Sequence, residues 1–272
     1  MKRKELFEFE DFPWLPNVIR TGVTNLIVVF HKLAGTAEVI ADLILNVREK
    51  YNFTQITDLG SGSGGPMLEV IQKINAGDKH SKMNLVLTDF YPNPAIVDKI
   101  NKQKLPNIRY QDTSLDATQI NTAPDGLKTM IASFHHMKPA TAQKILQSAQ
   151  HSRQPILIYE LAKNNIPILL WWLFLPLSLV ILIVMCLIMT PFVKPLSFKQ
   201  ILFTYLIPII PLVYAWDGQT SLMRTYTFED IESLLGSEKK EDYQWAIGDA
   251  QKRNGKKFGY YIMGYPKSEN GL

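Results

Sequence analysis

Asp58-Leu-Gly-Ser-Gly-Ser-Gly-Gly65 sets an acid and then four glycines directly after a short apolar run. Glycine admits positive φ and lets backbone N–H groups approach a ligand closely. A helix starting behind such a turn aims its own exposed N–H donors at the same point. That is the chemistry of holding a nucleotide-like molecule. Asp89 closes the next apolar run, Leu85-Val-Leu-Thr-Asp89, where a carboxylate can accept from both hydroxyls of a ribose. Further on, Ser133-Phe-His-His-Met137 puts two of the chain's five histidines side by side. Imidazole exchanges a proton near neutral pH, so His135 and His136 are candidate bases, beside the plainer reading that one only bonds to backbone.

These residues need a scaffold that brings strand ends together. Short apolar strands are expected at 55–58, 84–89, 107–110, 128–134 and 155–159, with helices at 66–74, 94–102 and 140–150 between them. Alternation of this kind implies a parallel sheet covered by helices on both faces. Two further helices, 18–31 and 36–51, precede it. Thr227-Phe-Glu-Asp230 opens a late helix that Gly236 ends. Strands at 243–247 and 257–265 then close the chain, and their short connection requires an antiparallel pair.

The turn fits two templates. Gly60-x-Gly62-x-x-Gly65 matches a dinucleotide fingerprint, a weak signal by itself. Asp58-x-Gly60-x-Gly62-x-Gly64 resembles the first motif of class I S-adenosylmethionine-dependent methyltransferases, and its surroundings together favour that template, although the ribose acid Asp89 by itself suits either cofactor. Asp89 ends the second strand, Leu115-Asp116-Ala117-Thr118 follows the third, and the closing antiparallel pair is similar to that family's reversed last strand. The resemblance covers roughly residues 53–160 and 243–266. It implies S-adenosylmethionine as cofactor, with Gly60, Gly62 and Gly64 near its methionine and ribose part and Asp58 near the ammonium. Asp89 would hold the ribose and Asp116 the adenine, with Asp112 a competing choice. The Asn/Asp-Pro-Pro-Tyr type of motif that many amino-methylating relatives carry after the fourth strand is absent, which favours oxygen or carbon acceptors. Glu160, Asp217 and Arg224 could line an acceptor pocket, or equally serve as salt bridges or caps.

Composition narrows the partners. A net charge of +4 is too small to argue for nucleic acid, and no basic run interleaved with aromatics occurs. The single cysteine, Cys186, allows no disulfide framework within the chain, and no Cys/His spacing suggests a metal. The first residues lack an apolar stretch behind their basic ones, so the soluble part is expected in the cytoplasm.

Residues 164–193 carry no charge at all. As a helix, 166–190 would extend about 37 Å, against a hydrocarbon core of about 30 Å. Trp171 and Trp172 suit an interfacial position. A second apolar piece, 201–216, is broken by Pro208 and Pro211 and reaches about 24 Å. Strands on both flanks belong to one sheet, so the chain must return to the side it left. A two-span hairpin, slightly favoured by the length of the first segment, would put Lys194 and Lys199 on the far side. A re-entrant or monotopic hairpin would keep them at the near head groups.

The expected architecture is therefore α/β: a doubly wound, mostly parallel seven-stranded sheet with an antiparallel C-terminal pair and an inserted apolar helical hairpin. It divides as an N-terminal helical lid or substrate region (1–52), a cofactor-binding core (53–163), a membrane-inserted hairpin (164–216) and the rest of the core (217–272). The expected function is methyl transfer to a hydrophobic acceptor (a lipid, quinone or similar molecule), with the lipid bilayer as partner and the catalytic domain on its cytoplasmic face. A nucleotide-dependent, membrane-anchored oxidoreductase and a non-catalytic membrane adaptor are the rivals. The oligomeric state leaves no signature.

Overall fold

The computed structural model describes residues 2–77, 82–236 and 240–267. It divides into two compact units, one of residues 35–161 and 228–272, the other of residues 1–34 and 162–227.

The first unit holds the sheet. Its strands are β1 (Gln55–Leu59), β2 (Asn84–Thr88), β3 (Ile108–Tyr110), β4 (Leu127–Ile131), β5 (Ile156–Glu160), β6 (Tyr243–Gln251) and β7 (Lys257–Pro266). Their spatial order is β3-β2-β1-β4-β5-β7-β6. The first five run parallel, and β7 is antiparallel to both of its neighbours. This is the expected seven-stranded, mostly parallel sheet with a reversed closing pair. β1, β2, β4 and β5 are almost continuously buried, as strands covered on both faces must be.

Helices cover the sheet because their apolar residues recur at helical spacing. In α2 (Thr36–Lys50), Ala37, Ile40, Ala41, Ile44 and Val47 form one buried stripe. In α3 (Met67–Gly77) the stripe is Met67, Val70, Ile71 and Ile74. Both pack into one core with Ile56, Leu85, Leu87, Leu127, Leu157 and Met263 of the strands. Truncating Ile40 or Ile44, each wholly buried, to alanine should cost about 2–5 kcal/mol. α4 (Pro94–Asn101) starts where the Asn93 side chain accepts from the Ala95 N–H at 3.0 Å, with Pro94 in the first turn. Its last residue pins β3, since the Asn101 amide exchanges two hydrogen bonds with the Tyr110 backbone. α5 (Pro139–His151) follows β4, and α9 (Phe228–Leu235) ends at Gly236, as expected, with a left-handed φ of 56°.

Two strands differ from expectation by more than one residue at an end. β4 stops at Ile131 instead of 134, because Ala132 takes a φ of 51° and turns the chain into a single 3-10 turn, Phe134–His136. β6 runs on to Gln251, since the polar residues after Ile247 continue to pair with β7.

The second unit is helical: α1 (Asn17–Ala34), α6 (Ile168–Met189), the short α7 (Phe198–Ile201) and α8 (Ile209–Arg224). α6 is long and apolar enough to cross a membrane. The return path is bent by 78° between residues 198–206 and α8. Cys186 and Met189 of α6 pack with Ile210, Val213 and Tyr214 of α8 and Ile19, Val23 and Leu26 of α1. Trp171 and Leu175 pack with Met223.

Candidate active site

The five parallel strands end at one edge of the sheet, and each delivers part of the site. β1 leads into the glycine turn, where Gly60, Gly62 and Gly64 have φ of 67°, 52° and 91°. The last could not be replaced freely, because a Cβ there would also press on Leu68 at 3.3 Å. The turn is tied to β2 by the Ser61 N–H, which donates to the Thr88 carbonyl at 2.9 Å.

Asp58 lies beneath this turn, fully buried. Its carboxylate accepts from Ser61 Oγ and from Thr129 Oγ1, each at 2.6 Å. Burial pushes its carboxyl up to about 7, and the Asp89 charge adds to that, against the two hydroxyl bonds that favour the ionised form. Asp58 therefore braces β1, the turn and β4 together. Local sequence pattern does not mark these hydroxyl partners, beyond the polar Thr129 standing among Leu127, Met130 and Ile131.

Asp89 sits at the end of β2 facing the turn. One carboxylate oxygen accepts from the Gly62 N–H at 3.0 Å and the other from the Tyr91 N–H at 2.9 Å. Each oxygen has a second lone pair, so the pair of them can still accept from two hydroxyls. Tyr110 of β3 donates its phenol to the Gly62 carbonyl at 2.8 Å. Burial first, then the charges of Asp89 and Asp58, raise that phenol's pKa. Asp116 lies in the loop after β3, which the Leu115 N–H ties to the Asp89 carbonyl at 3.0 Å. Asp116 Oδ1 accepts from the Thr118 N–H and hydroxyl, both at 2.8 Å. The chain thus brings Asp58, Asp89, Asp116 and the glycines to one end of the sheet, while Asp112 stays exposed.

β1 and β4 are neighbours whose following strands lie on opposite sides, which makes their shared edge the switch point of the sheet. There Ser133 Oγ lies 3.6 Å from where a Gly60 Cβ would be. This hydroxyl is buried and has no hydrogen-bond partner among the described residues, as is also true of Ser63 Oγ in the glycine turn. Buried hydroxyls without partners at a glycine cradle fit a bound polar ligand.

The histidines differ from one another. His135 is buried; its N–H donates to Glu160 Oε1 at 3.0 Å and its Nδ1 lies 2.8 Å from Glu160 Oε2. A carboxylate only accepts, so Nδ1 carries the proton and the lone pair of neutral His135 is on Nε2. His136 is half-buried and stacks obliquely on His135, with ring centroids 4.3 Å apart. Glu160 needs close support from β7: a Cβ at Gly259, whose φ is 80°, would fall 2.4 Å from the Glu160 carbonyl. Asp217 and Arg224 take structural roles in the helical unit. Asp217 accepts from the Phe9 and Glu10 N–H groups at 2.7 and 3.1 Å, and Arg224 pairs with Glu8 and Asp11.

No family model matches this chain, and no curated protein does. Solved structures do. Human N-acetylserotonin methyltransferase in complex with SAM is 15% identical over 87% of this chain and 53% of its own, with a TM-score of 0.47. A SAM-dependent methyltransferase from Aquifex aeolicus is 14% identical over 82% and 88%, at 0.43. A putative O-methyltransferase from Nostoc punctiforme is 11% identical over 96% and 64%, at 0.48. This chain spans about half the length of the human enzyme.

Proposed function

We propose that this protein is an S-adenosylmethionine-dependent methyltransferase that works at a membrane on a hydrophobic acceptor, by O- or C-methylation. The carrying observation is the His135–Glu160 pair, set at the same strand edge as the glycine turn.

Gly60, Gly62, Asp89, Asp116 and Ser133 would hold the cofactor, which supplies a methyl group on a positively charged sulfur. Asp89 would accept from the ribose hydroxyls with its remaining lone pairs, and the Ser133 hydroxyl, beside Gly60, would be free to bond a polar group of the cofactor. Methyl transfer is an in-line displacement, so alignment supplies much of the rate. A hydroxyl or carbon acid must also lose a proton. His135 Nε2 accepts it, and Glu160 holds the ring in the required tautomer and stabilises the imidazolium. The membrane and the hydrophobic acceptor are supported by α6, whose outward side chains are apolar and exposed along its length.

Titration calorimetry with S-adenosylmethionine, S-adenosylhomocysteine and nicotinamide nucleotides tests the cofactor. Binding of the first two is expected. Binding of nicotinamide nucleotides alone would point instead to a membrane oxidoreductase. Lipid extracts of a deletion strain should lack a methylated species that the complemented strain contains.

A further inference from the structure

We infer that the apolar helical unit lies in a single leaflet, with α6 parallel to the membrane surface, instead of crossing the bilayer. The inference rests on the membrane reading above and concerns orientation alone.

At 100° per residue, α6 has two opposite faces. Trp171, Leu175, Cys186 and Met189 form the inward seam and are buried against α8 and α1. Leu169, Leu173, Leu177, Val180, Val184 and Ile188 lie roughly opposite, and all are exposed, Leu169 by 80% and Ile188 by 64%. This stripe runs the full length of the helix. Beyond it the exposed Phe192, Phe198 and Leu206 continue the apolar surface, interleaved with the exposed Lys194 and Lys199. Apolar and aromatic side chains mixed with lysines are the composition of a membrane interface, and the lysines complement anionic head groups.

The opposite side of the unit is polar at the level of α6's middle. A Cβ on Gly218 would touch Leu182 at 3.3 Å, and the preceding residue, Asp217, accepts from the Phe9 and Glu10 N–H groups. One turn further along α8, Ser221 donates to Glu8, and beyond it Arg224 pairs with Glu8 and Asp11, whose side chain is 40% exposed. If α6 crossed the bilayer, Asp217 would lie at hydrocarbon depth, where charged side chains are costly. Nor can the return path cross straight, since residues 198–206 cover only about 13 Å before the 78° bend. Lying flat, α6 buries its stripe about 5–10 Å into the leaflet, as interfacial helices do, and keeps Asp217 and the buried Arg224–Glu8 pair on the side away from the hydrocarbon.

The test uses the full chain added to sealed vesicles of phosphatidylcholine and phosphatidylserine. On a Cys186→Ala background, Leu177→Cys, Lys194→Cys and Lys199→Cys each carry one environment-sensitive fluorophore. The 177 probe should be quenched most by lipids spin-labelled near the head group, and the 194 and 199 probes by iodide added outside. Strongest quenching of 177 by chain-end labels, with 194 and 199 reached only by iodide trapped inside, would overturn the inference in favour of a crossing. Unlabelled K194E/K199E should bind anionic vesicles at least about tenfold more weakly. An unchanged affinity counts against the surface orientation. If the wild-type chain does not float with vesicles at all, or buries the stripe in a dimer of its own, the membrane reading itself fails.

Discussion

Glu160 holds both the backbone N–H and Nδ1 of His135, at 3.0 and 2.8 Å, so one carboxylate sets the position and the tautomer of the ring. Glu160→Gln should lower kcat about 10²-fold, the usual scale of lost general-base catalysis, with little change in KM for S-adenosylmethionine. His135→Ala should cost at least as much, and His136→Ala clearly less. The kcat–pH profiles decide it: the limb that reports a base should vanish in His135→Ala and persist in His136→Ala.

Asp89 both fixes Gly62 and faces the ribose position. Asp89→Ala should weaken cofactor binding about 10- to 100-fold, the cost of about 1.5–3 kcal/mol for hydrogen bonds to a charged group. Calorimetry measures it, and an unchanged affinity would remove Asp89 from the site.

Burial pushes the Asp58 carboxyl up to about 7 from an ordinary 3.8. Between those values the folded chain keeps a proton that the unfolded chain has released. Stability contributed by this group is therefore present at low pH, falls as pH rises through that window, and stays lost above it, by at most about 4 kcal/mol. Asp58→Asn should be more stable than wild type at pH 8 and show a flatter dependence in urea melts. Equal slopes for the two proteins would contradict this.

Lys128 is wholly buried in β4, and its ammonium donates to Pro124 O, Gly126 O and Gln154 Oε1 at 2.7, 2.9 and 3.1 Å. Burial holds its pKa down to about 8, with Asp125 opposing. Lys128→Met removes the buried charge but leaves those acceptors without their donor. A net loss of about 2–3 kcal/mol at pH 6 is expected from denaturant midpoints.

Gly259→Ala puts a methyl group 2.4 Å from the Glu160 carbonyl at a φ of 80°. β7 must retreat from β5, so stability should fall by more than about 2 kcal/mol and kcat with it. Loss of stability with kcat intact in the folded fraction would separate Gly259 from the site.

Sequence alone determined the alternation of strands and helices, the glycine turn, the two strand-end acids and the uncharged run, because each is written in local periodicity and local residue chemistry. It also required the closing strands to be antiparallel, since their connection is too short for a crossover. Tertiary structure decided the rest. Thr129 reaches Asp58 from a strand 71 residues away, and Glu160 reaches His135 across the 25 residues that separate their strands. No local pattern encodes such pairings, which depend on strand order and register. The same holds for Ala132, whose positive φ ends β4 ahead of His135. Asp217 and Arg224, open between two roles in the sequence, bond instead to residues 8–11, more than 200 positions away in the chain. A residue's type limits the chemistry it can do, and only the packing of distant segments selects its partner.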